Sequence, residues 1–403
     1  MKKGWQTKTL GEVLEKTETV NPLQSPNAEF DYIDVSSVSN TTFEIEQTQR
    51  LKGKDAPSRA RKLVRTNDII FATIRPTLQR IAVVPEHLDK QVCSTGYFVL
   101  RPKQGIDHRF VFYSLFTENF IEQMESLQKG ASYPAVTDGD VRAQEIPVPP
   151  LAEQQRIVGL LDEAFEALAT AKANAEKNLQ NARALFESHL QSVFTQRGPG
   201  WVENKLKSIT TKIGSGATPR GGEESYKAEG VSLIRSLNVH DLSFKYAKLA
   251  FLDDAQADEL SNVEVQPRDV LLNITGASVA RCAIVPDDVL PARVNQHVSI
   301  IRPVAEKLDA DFLHYLLISK PYKDQLLKTG EEGGSTRQAI TKAQIQEFTV
   351  EYPATLKEQE TIVAKLDSML AETQRLARLY ERKLAALEAL KKSLLHQAFT
   401  GAL

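Results

Sequence analysis

From residue 151 to 196, apolar side chains return every three or four positions: Ile157, Leu161, Ala164, Leu168, Ala171, Ala175, Leu179, Ala182, Phe186, Leu190 and Val193. A stripe averaging 3.6 residues predicts one long amphipathic helix. Gly159 is the only glycine inside it, Pro150 stands at its start, and Gly198-Pro199-Gly200 lies just beyond its end. A second stripe runs through Ile362, Leu366, Met369, Thr373, Leu376, Tyr380, Leu384, Leu387, Leu390, Leu394 and Ala398. At 1.5 Å per residue each helix would be roughly 65–70 Å long, wider than a globule of about 150 residues. Much of each stripe must therefore face something other than a globule. The economical solution is for the stripes to face each other as an antiparallel coiled coil.

The rest of the chain carries a different pattern. β-branched and aromatic runs at 35–38, 68–74, 80–84 and 97–100 predict strands. Pro76, Pro85 and Pro102 fall where strands should end. Residues 110–124 have helical spacing, and 141–149 read as a short helix start followed by an exit strand. Residues 198–352 follow the same order. Each stretch predicts a mixed-sheet globule, and the fold class is α+β.

The two halves are copies. Leu151, Glu153, Gln154, Ile157, Val158, Leu161 and Asp162 recur 205 positions later as Leu356, Glu358, Gln359, Ile362, Val363, Leu366 and Asp367. DIIFATIRPTLQRIAVVPE at 68–86 matches DVLLNITGASVARCAIVPD at 269–287 at a spacing of 201, and Tyr97–Pro102 matches Val298–Pro303. A period near 200 is a whole domain plus connector, far above the roughly 20–50 residues of a solenoid unit. The expected organisation is a globule at 1–150, a helix at 151–197, a globule at 198–352 and a helix at 353–403, with internal pseudo-two-fold character.

Composition narrows the class. The apolar share is 41% and the charged share 25%, as in an ordinary soluble protein, and no apolar run approaches a membrane span. Cys93 and Cys282 occupy non-equivalent points of the repeat, so both thiols are expected buried and reduced, which favours the cytoplasm. Catalytic signatures are scarce. Gly214-Ser215-Gly216 lacks the rest of a dinucleotide or phosphate-loop fingerprint, and 214–222 reads as a flexible loop with Arg220 at its tip. The seven histidines never fall at metal-ligand spacing. Acid pairs such as Asp253-Asp254 and Asp287-Asp288 read as solvated loops. Neither a cofactor, a metal nor a catalytic centre is expected.

Charge is informative locally, although the net value is only −2. RLKGKDAPSRARKLVR at 50–65 holds seven cations and one anion, whereas the corresponding 245–268 stretch is acidic. A cationic surface loop suits phosphate contact, while a solvated charge run is the bland alternative. One frame with divergent loops suggests one scaffold presenting two reading surfaces. The nucleic-acid-contact candidates in the first half are Lys52, Lys54, Arg59, Arg61, Lys62, Arg65, Arg75 and Arg80. In the second half they are Lys212, Arg220, Arg235, Arg281, Arg293, Asn295 and Arg337, with Lys227 and Gln296 beside them. Arg59 and Arg61 are the expected base readers. Arg80 and Arg281 match in the frame and are expected to serve a shared backbone or structural role.

Globule–helix–globule–helix, with PPLAEQQRIV opening one helix and TLKEQETIV the other, resembles the DNA-specificity subunit of Type I restriction–modification systems. So do SRARKLV, NDIIFATIRP and IGSGATPRGG. The resemblance implies two target-recognition domains, each reading half of an asymmetric, split duplex-DNA site, held apart by an antiparallel helix pair. It also implies a non-catalytic chain docking two modification subunits, which carry S-adenosylmethionine, and two motor–nuclease restriction subunits in the restricting complex. The second helix departs from the pattern, opening on Tyr352-Pro353-Ala354-Thr355-Leu356, which should alter the turn but not the helix. A coiled-coil scaffold that binds proteins but not DNA is the alternative.

Overall fold

The computed structural model describes residues 4–331 and 339–403. Its backbone packs as two units: residues 1–176 with 381–403, and residues 177–380. The division falls in the middle of each long helix, so each unit is one globule plus half of each helix.

In the first unit a four-stranded sheet runs in the order Gln49–Lys52, Glu29–Ile33, Val92–Ser94, Ala60–Leu63. The two central strands are parallel, with Ile33 opposite Cys93. A three-stranded antiparallel sheet places Ile69–Ala72 between Ile81–Val83 and Tyr97–Leu100, with Ile69 opposite Leu100 and Val83. Strand Ile69–Ala72 is buried along its whole length, hence its unbroken apolar run. The second unit repeats this design. Ala250–Leu252, Val231–Ile234, Ala292–Val294 and Glu264–Val265 form one sheet, and Thr210–Ser215, Val298–Pro303, Val270–Asn273 and Cys282–Ile284 the other.

Most predicted strands lie where the pattern put them, but 35–38 does not. Val35–Ser37 is a 3-10 turn, and the strand is Glu29–Ile33 just before it. Ser37 Oγ accepts from the Asp34 amide at 3.0 Å, while the Asp34 side chain accepts from the Ser37 amide. Such local bonds offer the backbone an alternative that outweighs the strand preference of Val35 and Val38. The helical stretch at 110–124 is two helices, His108–Ser114 and Glu118–Leu127, broken where Thr117 precedes the second. The GlySerGly segment is also more ordered than a flexible loop, since Gly214 and Ser215 belong to a strand.

The long helices are Leu151–Thr195 and Leu356–Thr400. In the first unit Ile157, Val158 and Leu161 share a core with Leu395 and Ala398. Arg156 Nη2 donates to the Leu403 carbonyl at 2.9 Å, and Lys391 lies 5.5 Å from the Phe165 ring. Rising numbers on one helix meet falling numbers on the other, so these halves are antiparallel. In the second unit Phe186, Leu190 and Phe194, late in the first helix, share a core with Val363 and Leu366, early in the second. Each fully buried side chain of this size contributes about 1.5–3 kcal/mol. Packing covers part of each stripe in both units, while Leu390 of the second stripe stays 47% exposed. Among the described residues no helix is long and apolar enough to cross a membrane.

The opening of each long helix is fastened to its globule by the same glutamine. Gln154 Oε1 accepts from the Asp107 amide at 2.8 Å, and Nε2 donates to the Pro149 carbonyl at 2.8 Å. Gln359 does the same with Asp309, at 2.8 Å, and Pro353, at 2.9 Å. Both side chains are buried. A tyrosine adds a second tie in each copy: Tyr113 donates to Asp162, and Tyr315 to Asp367. Where the second helix lacks the ProPro start, Thr355 takes over, its Oγ1 accepting from the Glu358 amide at 3.4 Å. Gln154→Leu is expected to orphan the Asp107 amide and the Pro149 carbonyl, at about 1–3 kcal/mol for each buried group. Thermal melting and limited proteolysis near residue 150 would register this as a lower Tm and a new cleavage site. A variant melting with the wild type would show that the glutamine is not a fastener.

Candidate nucleic-acid interface

In the first unit four segments meet at one end of the sheets. The Thr73 amide donates to the Gly96 carbonyl at 2.9 Å, and the Val136 amide donates to the Thr73 carbonyl at 2.9 Å. The Arg75 amide reaches Pro134 O at 2.7 Å, and the Thr95 amide reaches Arg59 O at 2.8 Å. Paired bonds of 2.9 Å between Lys129 and Ala135 close the turn that carries Tyr133. Gly96 lets the segments cross closely, since a Cβ there would lie 2.7 Å from Val35 Cγ2 and would have to displace that methyl. Arg75 and Gln79 both adopt left-handed backbone, with φ of 50° and 52° around the turn Pro76–Leu78. For non-glycine residues this conformation is uncommon and needs support from surrounding structure.

These bonds bring Arg59, Arg75, Thr95, Lys129 and Tyr133 into one loop cluster, all of them exposed. The Arg75 guanidinium sits 5.2 Å from the centroid of the Tyr133 ring, which is 72% exposed. The ring holds the guanidinium in place by cation–π attraction, and Nη2 also donates to the Ser132 carbonyl at 3.4 Å. Sequence reasoning missed Thr95, Lys129 and Tyr133. Gly130-Ala131-Ser132-Tyr133-Pro134 carried the signal, a lone aromatic among small turn residues.

The cationic run at 50–65 does not form one patch. Strands Gln49–Lys52 and Ala60–Leu63 occupy opposite edges of the four-stranded sheet, separated by the two central strands. Lys52 and Lys54 are exposed at the far edge, away from the Arg59 end. Lys62 is bonded within the globule: its ammonium donates to the Tyr97 carbonyl at 2.6 Å and to Asp138 at 2.8 Å. Arg80 donates to the Val38 carbonyl, a structural bond. Arg65 pairs with Glu18 at 2.5 Å on the surface, and Arg61, half-buried, turns back to the Ala60 carbonyl at 3.1 Å.

The second unit builds the same crossing from different side chains. The Ile274 amide donates to the His297 carbonyl at 3.0 Å, as Thr73 does to Gly96, and the Ile340 amide donates to Ile274 O at 2.8 Å. Gly276 and Ala280, with φ of 73° and 66°, stand where Arg75 and Gln79 stand. Here the polar groups are Thr218, bonded to exposed Gln296, and Thr275, whose Oγ1 lies 2.5 Å from His297 Nδ1. Gly216 belongs to the fold, since a Cβ there would lie 1.8 Å from the Val294 carbonyl.

Several second-half candidates are buried or bonded within the protein. Arg293 is 8% exposed and donates to the Ala257 and Ala292 carbonyls at 3.1 and 3.0 Å. Asn295, 4% exposed, shapes its turn by accepting from the His297 amide at 3.0 Å. Lys212 donates to the Asn262 carbonyl at 2.6 Å. Arg235 is tied to Glu223 at 2.7 Å and to the Lys248 carbonyl at 2.7 Å, over the Tyr226 ring. Arg293 and Lys212 spend donors on backbone carbonyls, and Arg235 spends two on Glu223 and the Lys248 carbonyl. Arg281 is half-buried on the turn opposite Asn273. Arg220 is exposed, Lys227 pairs with Asp253 at 3.1 Å, and Arg337 lies outside the described residues. Both cysteines are free and buried, and burial pushes the Cys93 thiol up to about 12.

Comparison with known proteins places this architecture. The family described as the Type I restriction modification DNA specificity domain matches residues 2–179 and again 199–382, once per copy. The specificity subunit of Type I restriction enzyme MjaVIII from Methanocaldococcus jannaschii is 26% identical over 329 residues, 77% of this chain and 74% of that one. The EcoKI specificity subunit of Escherichia coli K12 is 25% identical over 333 residues, 77% of this chain and 69% of that one. Among solved structures, one concerned with complex assembly and conformational transition of the type I R-M system is similar with a TM-score of 0.83 and 31% identity, covering 100% of this chain and 99% of that one. The HsdS subunit of Thermoanaerobacter tengcongensis is similar at 0.70 and 31%, covering 100% and 98%. Matched twice along its length and similar to such subunits from end to end, the chain belongs to the family of Type I restriction–modification DNA-specificity subunits.

Proposed function

We propose that each globule is a target-recognition domain that reads one half of a split duplex-DNA site, with its crossing-loop cluster toward the bases. The observation that carries this reading is one loop frame present twice with different chemistry: Arg59, Arg75, Thr95 and Tyr133 in the first copy, Thr218, Thr275, Gln296 and His297 in the second. Arginine can donate two hydrogen bonds to a guanine edge, and glutamine can pair with adenine in the same two-point fashion. Different side chains on one frame make the target asymmetric. Lys52, Lys54, Arg65 and Arg220, exposed away from the crossings or on a loop tip, suit phosphates, which position a protein without reading sequence.

On this reading the chain supplies recognition, and its partners supply chemistry. It directs two modification subunits to adenines in the target and, in the restricting complex, two motor–nuclease subunits. A net charge of −2 fits such a division, since partners can provide much of the non-specific electrostatic grip. The long helices would set the interval between half-sites.

The test exchanges residues 1–150 for the equivalent segment of the MjaVIII relative and maps methylated adenines in cells that carry the hybrid with its modification partner. One half of the target should change while the other stays. Change in both halves would show that the globules do not read independently. Change in neither would favour a scaffold that leaves recognition to its partners.

A further inference from the structure

The two copies differ at one buried point in a way that DNA reading does not use. Each globule presents a tyrosine to the helix pair, Tyr113 in the first and Tyr315 in the second, each bonded to an aspartate of the helix that follows it. Facing the second tyrosine from the other helix is Phe186, 4% exposed, its ring 6.1 Å from that of Tyr315. The residue 205 positions on, at the matching place in the first unit, is Lys391. A residue with left-handed backbone approaches in both copies, Phe43 with φ 58° and Leu242 with φ 59°. In the second unit Leu242 and Phe186 belong to one packed core. In the first a cavity of about 830 Å³ remains, lined by Phe43, Phe112, Phe116, Phe165, Tyr113 and Lys391.

The Lys391 ammonium lies 5.1 Å from the Phe43 centroid and 5.5 Å from that of Phe165, and among the described residues it forms no ion pair. Arg109, also at the cavity, is already held by Asp162 at 2.8 Å. Glu44 and Glu388 are exposed, the first at the rim and the second on the turn before Lys391. Burial makes Lys391 less basic than usual, Glu388 opposes that shift, and the nearby Lys172 adds to it. Two ring faces offset part of the cost of a half-buried ammonium, but an anion would offset far more. Filling the site with phenylalanine, as the other copy does, would remove both the void and the charge.

We propose that the cavity of the first unit binds a small organic anion with a flat apolar body, the acid group on Lys391 and the body among the four phenylalanines. Its volume lies within the roughly 300–1,000 Å³ of small-molecule sites, and its wall combines the aromatic rings with polar groups that include Thr42, Asn67, His87, His108 and Arg109. At the matching place the second unit holds Phe186 in the position of the lysine, so one anion is expected per chain. The assignment does not depend on which globule reads which DNA half-site.

The test uses the full chain and two fluorescent probes of similar shape, anionic 8-anilinonaphthalene-1-sulfonate and neutral N-phenyl-1-naphthylamine. The wild type should bind one equivalent of the anion and prefer it over the neutral probe by about tenfold or more, the worth of one charge-assisted contact. Lys391→Met should erase that preference while still binding the neutral probe. Lys391→Phe should lose both probes with an equal or higher Tm, since it installs the residue of the other copy. Absence of one-to-one binding in the wild type, or anion preference that survives Lys391→Met, would overturn the proposal. So would unchanged binding in a folded Lys391→Phe.

Discussion

Asp68→Ala should destabilise the first unit by about 3–5 kcal/mol, the usual cost of breaking a buried ion pair from one side. Asp68 is 2% exposed and Arg101 8%. The guanidinium grips the carboxylate with two donors at 2.9 and 2.8 Å, and a third reaches Glu18 at 2.7 Å. The same carboxylate accepts from the Arg65 amide at 2.8 Å, fixing the turn before strand Ile69–Ala72. Alanine would leave the buried cation with only the half-exposed Glu18 as partner and an amide unpaired. For a unit of this size the melting transition should fall by roughly 6–20 °C. Asp269, 0% exposed, holds Arg302 at 2.7 Å and the Gln266 amide at 2.7 Å, so Asp269→Ala should do the same to the second unit. Replacing Asp68 and Arg101 together by leucine should cost much less than Asp68→Ala, because no charge is stranded. Differential scanning calorimetry of the three variants decides the matter, and a single mutant melting within a degree of wild type would refute the account.

On the DNA side, Arg75→Ala and Arg59→Ala are expected to lower affinity for the matched duplex by roughly 5–150-fold, or about 1–3 kcal/mol per good base contact. Discrimination at one position of the first half-site should relax with it. Tyr133→Ala should weaken the Arg75 effect, because the ring 5.2 Å away holds the guanidinium in position. Arg220→Ala should behave otherwise, reducing binding to every sequence alike and flattening the salt dependence. Arg80→Ala and Arg293→Ala should show up as lost stability, since their donors are spent on backbone carbonyls. Competition binding by the assembled modification complex, with matched and single-base-altered duplexes, separates these outcomes. Unaltered affinity and selectivity in both Arg59→Ala and Arg75→Ala would place the reading surface away from the crossing loops.

Which parts of this were legible in the chain follows from the range of the forces involved. Period-3.6 stripes with no proline inside reveal a long helix, because helix geometry is local. Buried strands such as 69–72 and 97–100 announce themselves by composition for the same reason. Local reading failed where short polar side chains intervened, as when Asp34 and Ser37 turned a β-branched run into a 3-10 turn. Charge clustering misled further. Seven cations in sixteen residues look like one patch along the chain, yet sheet order sends Lys52 and Arg59 to opposite edges and turns Lys62 inward.

The sequence by itself determined the duplication, the α+β class, the two long helices and the family, because each is written in repeats, periodicities and motifs that survive without coordinates. It also held the pairs Asp68–Arg101 and Asp269–Arg302 in matched positions, although nothing local says that they touch. Only the tertiary structure decided which cations remain free for nucleic acid, since that depends on carbonyls and carboxylates brought from distant segments. It placed Tyr133 beside Arg75 across 58 positions of chain and set Lys391 between Phe43 and Phe165 where the other copy packs Phe186. The physical reason is the same in each case: a side chain's availability is fixed by what surrounds it, and those surroundings are assembled from residues far apart in sequence.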